Sequence, residues 1–215
     1  HAAASIGKKI TIDWIDSENI NGNADTLSKY NGILVPGGFG TRGSEGIIKT
    51  ANFARENNIP YLGICFGFQL AAVSFARNVC NHTDANSTEI ESETNNPIID
   101  LLPEQDGVTD MGGSLRLGAN EIDVKSDTIA NRIYGQTKIS KRHRHRYEFN
   151  TKYLDEFAQK GMIFSGESDN GRRMEILEIP DHKFFVGVQF HPEFNSRPGY
   201  PEDVFKAFTT AANQN

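Results

Sequence analysis

Residues 60–72 read Pro60-Tyr61-Leu62-Gly63-Ile64-Cys65-Phe66-Gly67-Phe68-Gln69-Leu70-Ala71-Ala72, and they set the architecture of the chain. The short apolar run Tyr61–Ile64 predicts a buried strand, and residues 68–77 predict a helix. Cys65 therefore falls on the turn between a strand and a helix. This order of elements is typical of a nucleophile elbow, here with cysteine in place of serine.

The elbow also accounts for the two glycines that flank the cysteine. A sharp strand-to-helix turn strains the backbone of its central residue and leaves room only for small neighbours, here Gly63 and Gly67. The free N–H groups and the positive dipole end of the following helix favour a thiolate, and they favour an oxyanion formed from a carbonyl. The pattern indicates a cysteine nucleophile that attacks a carbonyl group, although a cysteine in an apolar strand can also be a simple core residue.

A second strand–loop–helix unit precedes the elbow. An apolar strand over residues 32–35 leads into the loop Pro36-Gly37-Gly38-Phe39-Gly40-Thr41-Arg42-Gly43, and a helix is predicted over residues 44–57. Such a loop can present backbone N–H groups to a ligand oxygen, which makes it a candidate oxyanion donor. Glycine clusters are more often simple turns, and no Lys-Ser/Thr pair follows that would make this a Walker loop.

The third functional element is expected after the apolar run at residues 184–190. Its nearly continuous apolar character predicts a strand buried on both faces, and Pro192 prevents the strand from continuing. His191 and Glu193 therefore lie where a strand opens into a loop, at the sheet edge where α/β proteins place their sites. A histidine oriented by a carboxylate is the general base that a Cys65 nucleophile needs, although His-x-Glu can also be a surface turn.

The remaining pattern predicts one domain over residues 1–215. A half-buried strand is expected at residues 9–15, where polar and apolar residues alternate, and a final helix is expected at residues 202–212. Short strands are expected at residues 121–124, 145–149, 162–165 and 174–179, with a hairpin at Asp169-Asn170-Gly171. The fold class is therefore α/β, with a central mostly parallel sheet flanked by helices and a small antiparallel portion in the second half.

Composition and charge argue against several classes of function. The 215 residues carry a formal net charge of -6, which argues against a general nucleic-acid binder. No apolar run approaches the ~20 residues that span a bilayer, and no signal peptide opens the chain, so a cytoplasmic protein without membrane contact is expected. The two cysteines, Cys65 and Cys80, lack the spacing of a disulfide framework or a zinc site, and no metal is expected.

The three motifs, taken in order, resemble those of the class I (triad) glutamine amidotransferases. Three further stretches are similar to motifs of glutaminase domains in the CTP synthase family. They are residues 84–89 (DANSTE), 110–118 (DMGGSLRLG) and 142–150 (RHRHRYEFN). The resemblance runs from about residue 9 to the final helix, and the last two stretches are specific to CTP synthases within the class.

This resemblance implies that Cys65 attacks the side-chain amide of L-glutamine to give a γ-glutamyl thioester, with His191 moving protons and Glu193 orienting it. The oxyanion would be held by the backbone N–H groups of Gly38 and Phe66. The amino-acid end of glutamine would be bound by Gly38, Phe39, Gln69, Glu89, Arg146 and Tyr147. Carboxylates suit an α-ammonium group and guanidinium groups suit an α-carboxylate. Considered without the resemblance, the basic run at residues 141–146 is interpreted as a solvated charged face or as a phosphate-binding patch.

The resemblance also implies partners outside this chain. In the family, ammonia passes through an enclosed path to a synthase domain that aminates UTP, and the full-length enzyme uses ATP, Mg²⁺ and a GTP effector. No cofactor is expected in the glutaminase domain, and the full-length enzyme is expected to be a homo-oligomer. Residues 112–118, with Arg116, look like part of the lid linked to GTP stimulation. By this resemblance the synthase domain is expected to lie outside these 215 residues, and residues 1–7 resemble only the end of a helix that follows the family's first strand.

Two other interpretations remain open. Another class I amidotransferase or a γ-glutamyl hydrolase would share the fold and the triad. A non-catalytic thiol-sensing module would use oxidation of Cys65 and would need no base at His191. Within the catalytic interpretation, His143 is the alternative base. Cys80, His82 and His182 are interpreted as structural or surface residues.

Overall fold

A seven-stranded sheet organises the fold. The structure, a computed structural model, describes residues 1–20, 24–101 and 115–214. Within these ranges the strands are β1 (Ile33–Val35), β2 (Tyr61–Ile64), β3 (Asn86–Ser87), β4 (Pro97–Asp100), β5 (Arg116–Val124), β6 (Lys138–His145), β7 (Glu148–Phe149), β8 (Ile163–Ser168), β9 (Arg173–Glu178) and β10 (Phe185–Val188). The helices are α1 (Ala2–Ser5), α2 (Ser44–Glu56), α3 (Phe66–Asn78), α4 (Ile129–Tyr134), α5 (Leu154–Gln159) and α6 (Asp203–Ala212). The large sheet has the order β1-β2-β10-β9-β8-β5-β6, and a small sheet has the order β3-β4-β7.

Three parallel strands form the part of the large sheet that carries the candidate site. β2 lies between β1 and β10 and pairs with both in parallel. Every residue of β2 and β10 is buried, as expected for strands covered on both faces. Because parallel strands point the same way, the loops that follow β1, β2 and β10 emerge at one edge of the sheet.

Helices cover both faces of these strands, which confirms the α/β class. The central helix α3 is buried continuously from Phe66 to Ala76, because nearly all of its residues are apolar or small. On the opposite face, Val204 and Phe208 of α6 pack in one cluster with Leu62 of β2. No helix in the described ranges has the length and apolar character needed to cross a membrane.

The antiparallel part of the sheet is larger than the small portion expected from the sequence. β10 pairs antiparallel with β9, and the pairings β9–β8, β8–β5 and β5–β6 are also antiparallel. The β8–β9 connection is the expected hairpin, and Asp169, Asn170 and Gly171 all have positive φ angles there. A connection this short can join only antiparallel strands, because a parallel pair needs a crossover of a dozen or more residues.

The strand expected at residues 9–15 does not form in the described part of the chain. The segment has no regular secondary structure, and its large side chains face solvent: Ile10 is 57% exposed, Ile12 63% and Trp14 90%. Alternating polarity predicts a strand only where a neighbouring strand can pair with its backbone groups. No such pairing occurs for this segment within the described ranges.

Candidate active site

The elbow predicted around Cys65 is formed at the start of α3. Cys65 precedes the first residue of the helix and has φ 50° and ψ -99°, which is unusual for a residue with a side chain. A Cβ added to Gly63 would lie 2.6 Å from the backbone of Gly67, and one added to Gly67 would lie 2.5 Å from the carbonyl oxygen of Val35. Both glycines are therefore required by close backbone packing, as the sequence predicted.

The Cys65 sulfur lies in a buried position with three polar neighbours. Its Sγ is 3.9 Å from the carbonyl oxygen of Arg144 and 3.7 Å from Nε2 of Gln189. The backbone N–H of Phe66 also donates to the sulfur. Burial raises the pKa of the Cys65 thiol to about 12, and the Phe66 hydrogen bond only partly opposes this effect. Without a bound ligand, the cysteine is therefore a thiol at neutral pH.

His191 is held with one ring nitrogen bonded and the other available. Its Nδ1 lies 2.6 Å from Oε1 of Glu193, and its backbone N–H donates to the carbonyl oxygen of Arg142. Because the carboxylate can only accept, Nδ1 carries the proton and Nε2 of the neutral ring has a free lone pair. Nε2 is buried and has no hydrogen-bond partner among the residues that the structure describes. The imidazole is thus oriented to accept a proton at Nε2.

Gly37 lies between the cysteine and the histidine. A Cβ added to Gly37 would lie 2.8 Å from Cε1 of His191 and 3.7 Å from Cβ of Cys65. The loops after β1, β2 and β10 therefore meet at one point on the edge of the parallel strands. A Cβ added to the next residue, Gly38, would lie 3.3 Å from the Phe66 ring, so the two proposed oxyanion donors belong to adjoining segments.

The residues proposed to bind the amino-acid end of glutamine lie around this edge. Oε1 of Glu89 accepts a hydrogen bond from the backbone N–H of Gly40 at 2.9 Å. The negative charge of Glu89 contributes to raising the pKa values of Cys65 and Tyr147, whereas the adjacent Arg146 lowers that of Tyr147. The Glu89 carboxylate thus lies close enough to Cys65 to affect the pKa of the thiol, and the Arg146 guanidinium group acts on its neighbour Tyr147. A carboxylate and a guanidinium group are the partners that an α-ammonium and an α-carboxylate group require.

Two of the proposed binding residues have surroundings that the sequence did not reveal. Phe39 is 86% exposed, so its ring packs against little in the free protein. The Gln69 side chain is 3% exposed, and its Nε2 donates to the carbonyl oxygen of Tyr147 at 2.9 Å and to Oε1 of Gln189 at 3.2 Å. Gln69 is therefore part of a buried hydrogen-bond chain that leads to the cysteine.

A buried network of charges lies behind the site, with members on β5, β6, β7 and β9. Arg116 donates to Glu175 at 2.5 Å, and Arg173 donates to Glu148 at 2.7 Å. His145 Nε2 lies 3.0 Å from the same oxygen of Glu148. These two glutamates are at most 1% exposed, and only paired carboxylates are tolerated at such positions. The basic run at residues 141–146 is thus not a uniform solvated face, because alternate residues point inward into this network.

His143 belongs to this network and does not share the position of His191. It is 2% exposed, and neither of its ring nitrogens makes a hydrogen bond to another described residue. Burial lowers the pKa of His143 to about 2, with Arg116 and His145 adding to the effect. Unlike His191, this ring has no carboxylate within hydrogen-bond distance, since the nearest contact, to Glu175, is 3.7 Å. The geometry therefore favours His191 as the base.

Other residues from the sequence analysis lie elsewhere or outside the described ranges. His182 donates to the carbonyl oxygen of Ala54 and accepts from the backbone N–H of Phe184, so it fills a structural role. His82 lies 2.9 Å from Glu156. Residues 112–114 of the proposed lid lie outside the described residues. Within the described ranges, no group of three or more His, Cys, Asp or Glu side chains could hold a metal ion.

Gln189 and the buried glutamates were not predicted from the sequence. Gln189 is fully buried at the end of an otherwise apolar run, and that single polar residue was an available signal. Glu148 and Glu175 gave no comparable signal, because a lone glutamate in a strand usually faces solvent.

Comparisons with known proteins agree with this geometry. The family model for class I glutamine amidotransferases matches residues 1–211. The CTP synthase of Archaeoglobus fulgidus is 53% identical over 212 residues, which are 99% of this chain and 40% of that protein. The CTP synthase of Staphylococcus saprophyticus is 52% identical over 214 residues, again 99% of this chain and 40% of that protein. The chain thus spans 40% of the length of these curated relatives.

A comparison with solved structures indicates the same family. The glutaminase domain of Trypanosoma brucei CTPS, with bound acivicin, matches with a TM-score of 0.94 at 35% sequence identity. The match covers 100% of this chain and 84% of that chain. Sequence and structure therefore agree on the family over nearly the whole length.

Proposed function

Because the chain belongs to the class I glutamine amidotransferase family, we propose that it hydrolyses the side-chain amide of L-glutamine and supplies ammonia for the amination of UTP to CTP. The observation that carries the proposal is the meeting of Cys65 and His191 at Gly37, with Glu193 fixing the orientation and the tautomer of the imidazole. This arrangement combines a nucleophile, a base and an orienting carboxylate, which together perform acyl transfer.

In the first half of the reaction, His191 Nε2 takes the thiol proton as the Cys65 sulfur attacks the amide carbon of glutamine. A C–S bond forms and the carbonyl oxygen becomes an oxyanion, which the backbone N–H groups of Gly38 and Phe66 stabilise. The imidazolium then returns the proton to the amide nitrogen, the C–N bond breaks and ammonia leaves. The products of this half are ammonia and a γ-glutamyl thioester.

In the second half, water replaces the thiol. Neutral His191 takes a proton from water as its oxygen attacks the thioester carbon, and the same oxyanion donors act again. The C–S bond then breaks, the Cys65 sulfur recovers its proton from the imidazolium, and glutamate is released. The overall change is glutamine plus water to glutamate plus ammonia, and these steps use only groups of this chain, substrate and water.

The raised pKa of Cys65 fits a nucleophile that is activated only when substrate is present. Burial keeps the sulfur protonated in the free protein, so the transfer to His191 has to accompany binding or attack. We assign the α-ammonium group of glutamine to Glu89 and its α-carboxylate to Arg146, with Gly38, Phe39, Gln69 and Tyr147 completing the pocket. The positive α-ammonium group would offset the charge of Glu89, which contributes to raising the pKa of the thiol.

The partner of this domain is proposed to be a synthase domain of the same enzyme. The support is that the matching CTP synthases are much longer than this chain, which covers 40% of each. In that full-length enzyme, ATP and Mg²⁺ would serve the amination of UTP, GTP would act as an effector and the enzyme would form a homo-oligomer. A cytoplasmic location would follow from these substrates.

The proposed hydrolysis is tested by measuring ammonia released from L-glutamine by the chain and by its Cys65→Ala variant. Slow release that is lost in the variant supports the proposal. Release that is equal in the two proteins would show that another group attacks glutamine. No release from either protein, together with reversible oxidation of Cys65, would instead support a thiol sensor.

A further inference from the structure

Gln189 is a buried polar residue within reach of the reacting sulfur. It follows β10 directly and is 0% exposed, and its Nε2 lies 3.7 Å from Sγ of Cys65. Its backbone N–H donates to the carbonyl oxygen of Glu175, so the main chain is fixed as well. A buried side-chain amide surrounded by apolar strands is retained only where its groups are hydrogen-bonded. The question is therefore which end of the amide faces the sulfur.

The orientation follows from a chain of hydrogen bonds that begins at a backbone carbonyl. The Tyr147 carbonyl oxygen can only accept, so the Gln69 side chain must present its NH₂ group there. The same NH₂ group makes a second contact, at 3.2 Å, with the Gln189 side chain, which must then present its oxygen. This leaves the NH₂ group of Gln189 facing Cys65. The chain of contacts thus fixes Gln189 as a donor to the sulfur.

We propose that Gln189 is a catalytic hydrogen-bond donor that stabilises the Cys65 thiolate as it forms, with Gln69 as the positioning residue that holds the Gln189 amide in the donating orientation. This inference deepens the proposed glutaminase function and rests on it. It gives Gln69 a role beyond substrate binding, since the same side chain sets which group the sulfur meets.

The neighbours of the sulfur show why a second donor matters. In the free protein the thiol proton can point to the Arg144 carbonyl oxygen, 3.9 Å away, and that contact stabilises only the thiol. Once the proton has gone, sulfur can only accept, and the Phe66 and Gln189 N–H groups are its donors among the contacts described. The negative charges of Glu193, Glu89 and Glu148 all oppose the thiolate. Hydrogen bonds to charged groups contribute more than those between neutral groups, so losing the Gln189 donor should disfavour the thiolate by roughly 10- to 100-fold.

The test is the pH dependence of Cys65 alkylation by iodoacetamide, measured without glutamine and followed by mass spectrometry of the Cys65 peptide. Gln189→Glu replaces the donor with an acceptor of the same shape, and Gln189→Met removes hydrogen bonding at similar volume. Gln69→Glu leaves Gln189 in place but removes the donor that orients it. Gln159→Glu, at an exposed position of α5, is the matched control.

The expected result is that the alkylation profiles of the Gln189 variants move to higher pH, with rates at pH 7 lowered by roughly 10- to 100-fold. Gln69→Glu should move the profile in the same direction, and Gln159→Glu should leave it unchanged. Profiles of folded Gln189 variants that coincide with that of the unsubstituted protein would overturn the inference. Rates that fall equally at every pH would also overturn it, because they would indicate altered access to the sulfur. Since no glutamine is present, these outcomes are distinct from failure of the proposed hydrolysis.

Discussion

Nδ1 of His191 lies 2.6 Å from Oε1 of Glu193, although the two residues are separated by a single proline. The proline starts a short 3-10 turn, Pro192–Phe194, that brings the carboxylate back onto the ring. Because Glu193 is 44% exposed in its side chain, its contribution comes mainly from orienting the imidazole and selecting its tautomer. The proposed catalytic role of His191 therefore depends on a local turn as well as on the sheet.

Replacing Glu193 with glutamine tests this dependence. An amide can present N–H to Nδ1, which would move the ring proton to Nε2 and leave no lone pair for the thiol proton. We expect glutaminase kcat to fall by about 10²–10⁴-fold with the fold intact. Glu91→Gln, at an exposed position away from the elbow, should retain full activity. Equal ammonia release by the two variants would remove Glu193 from the mechanism.

Gly37→Ala should separate the geometry of the site from the stability of the fold. The added Cβ would lie 2.8 Å from Cε1 of His191, so the ring must shift from its observed position. Displacement of a catalytic group by about 1 Å can lower a rate by ~10²-fold, and we expect a loss of that order in kcat. Circular dichroism and the melting temperature should change little.

Gly135→Ala is the control for that substitution. Gly135 has φ 63° at the end of α4 and an added Cβ would meet nothing within 4 Å, so alanine there costs about 1 kcal/mol of backbone strain. This variant should be less stable and fully active. A Gly37→Ala protein with unchanged kcat would show that His191 and Cys65 do not need the observed spacing.

Because His143 is buried, we expect the free energy of unfolding to decrease in acid. Its folded pKa of about 2 lies far below the value of about 6.5 in an unfolded chain, so between these values the unfolded chain binds a proton that the folded protein does not. The stability contributed by neutral His143 is therefore present above about pH 6.5 and is lost as pH falls, by up to about 1.4 kcal/mol per pH unit.

His143→Gln should reduce this loss, measured as the urea unfolding free energy between pH 7 and pH 5. His82→Gln is the control, because that ring lies near the surface beside Glu156. In this variant the pH dependence of stability attributed to His143 should remain. If the unfolding free energy of His143→Gln falls between pH 7 and pH 5 as steeply as that of the unsubstituted protein, another group is responsible for the acid sensitivity.

The sequence predicted the parts of the fold that depend on local pattern. β2 has the expected bounds, and the hairpin at Asp169 forms. Both α2 and α3 begin and end within two residues of their predicted limits. The apolar runs and glycines that specify these elements act over a few residues, so they can be read without the rest of the chain. The same holds for the elbow at Cys65, where strain and close packing are both encoded in Gly63 and Gly67.

The parts that the sequence did not predict depend on distant neighbours. Residues 9–15 have the pattern of a strand but no pairing partner in the described structure, and Trp14 is exposed as a result. The short strands β3 and β4 have too few residues to show a period, and the strand expected at residues 145–149 is divided between the end of β6 and the two-residue β7. The buried network of Glu148 and Glu175 depends on arginines from other strands, and no single stretch of sequence records that pairing.

Labelling by a diazo-ketone analogue of glutamine tests the central claim most directly, because it requires both the binding pocket and the nucleophile. The protein is incubated with the analogue, and the adduct is located by peptide mass spectrometry. The account predicts one adduct, on Cys65, that excess L-glutamine suppresses and that is greatly slowed in His191→Ala. An intact Cys65 after prolonged incubation, or an adduct on Cys80 alone, would contradict it.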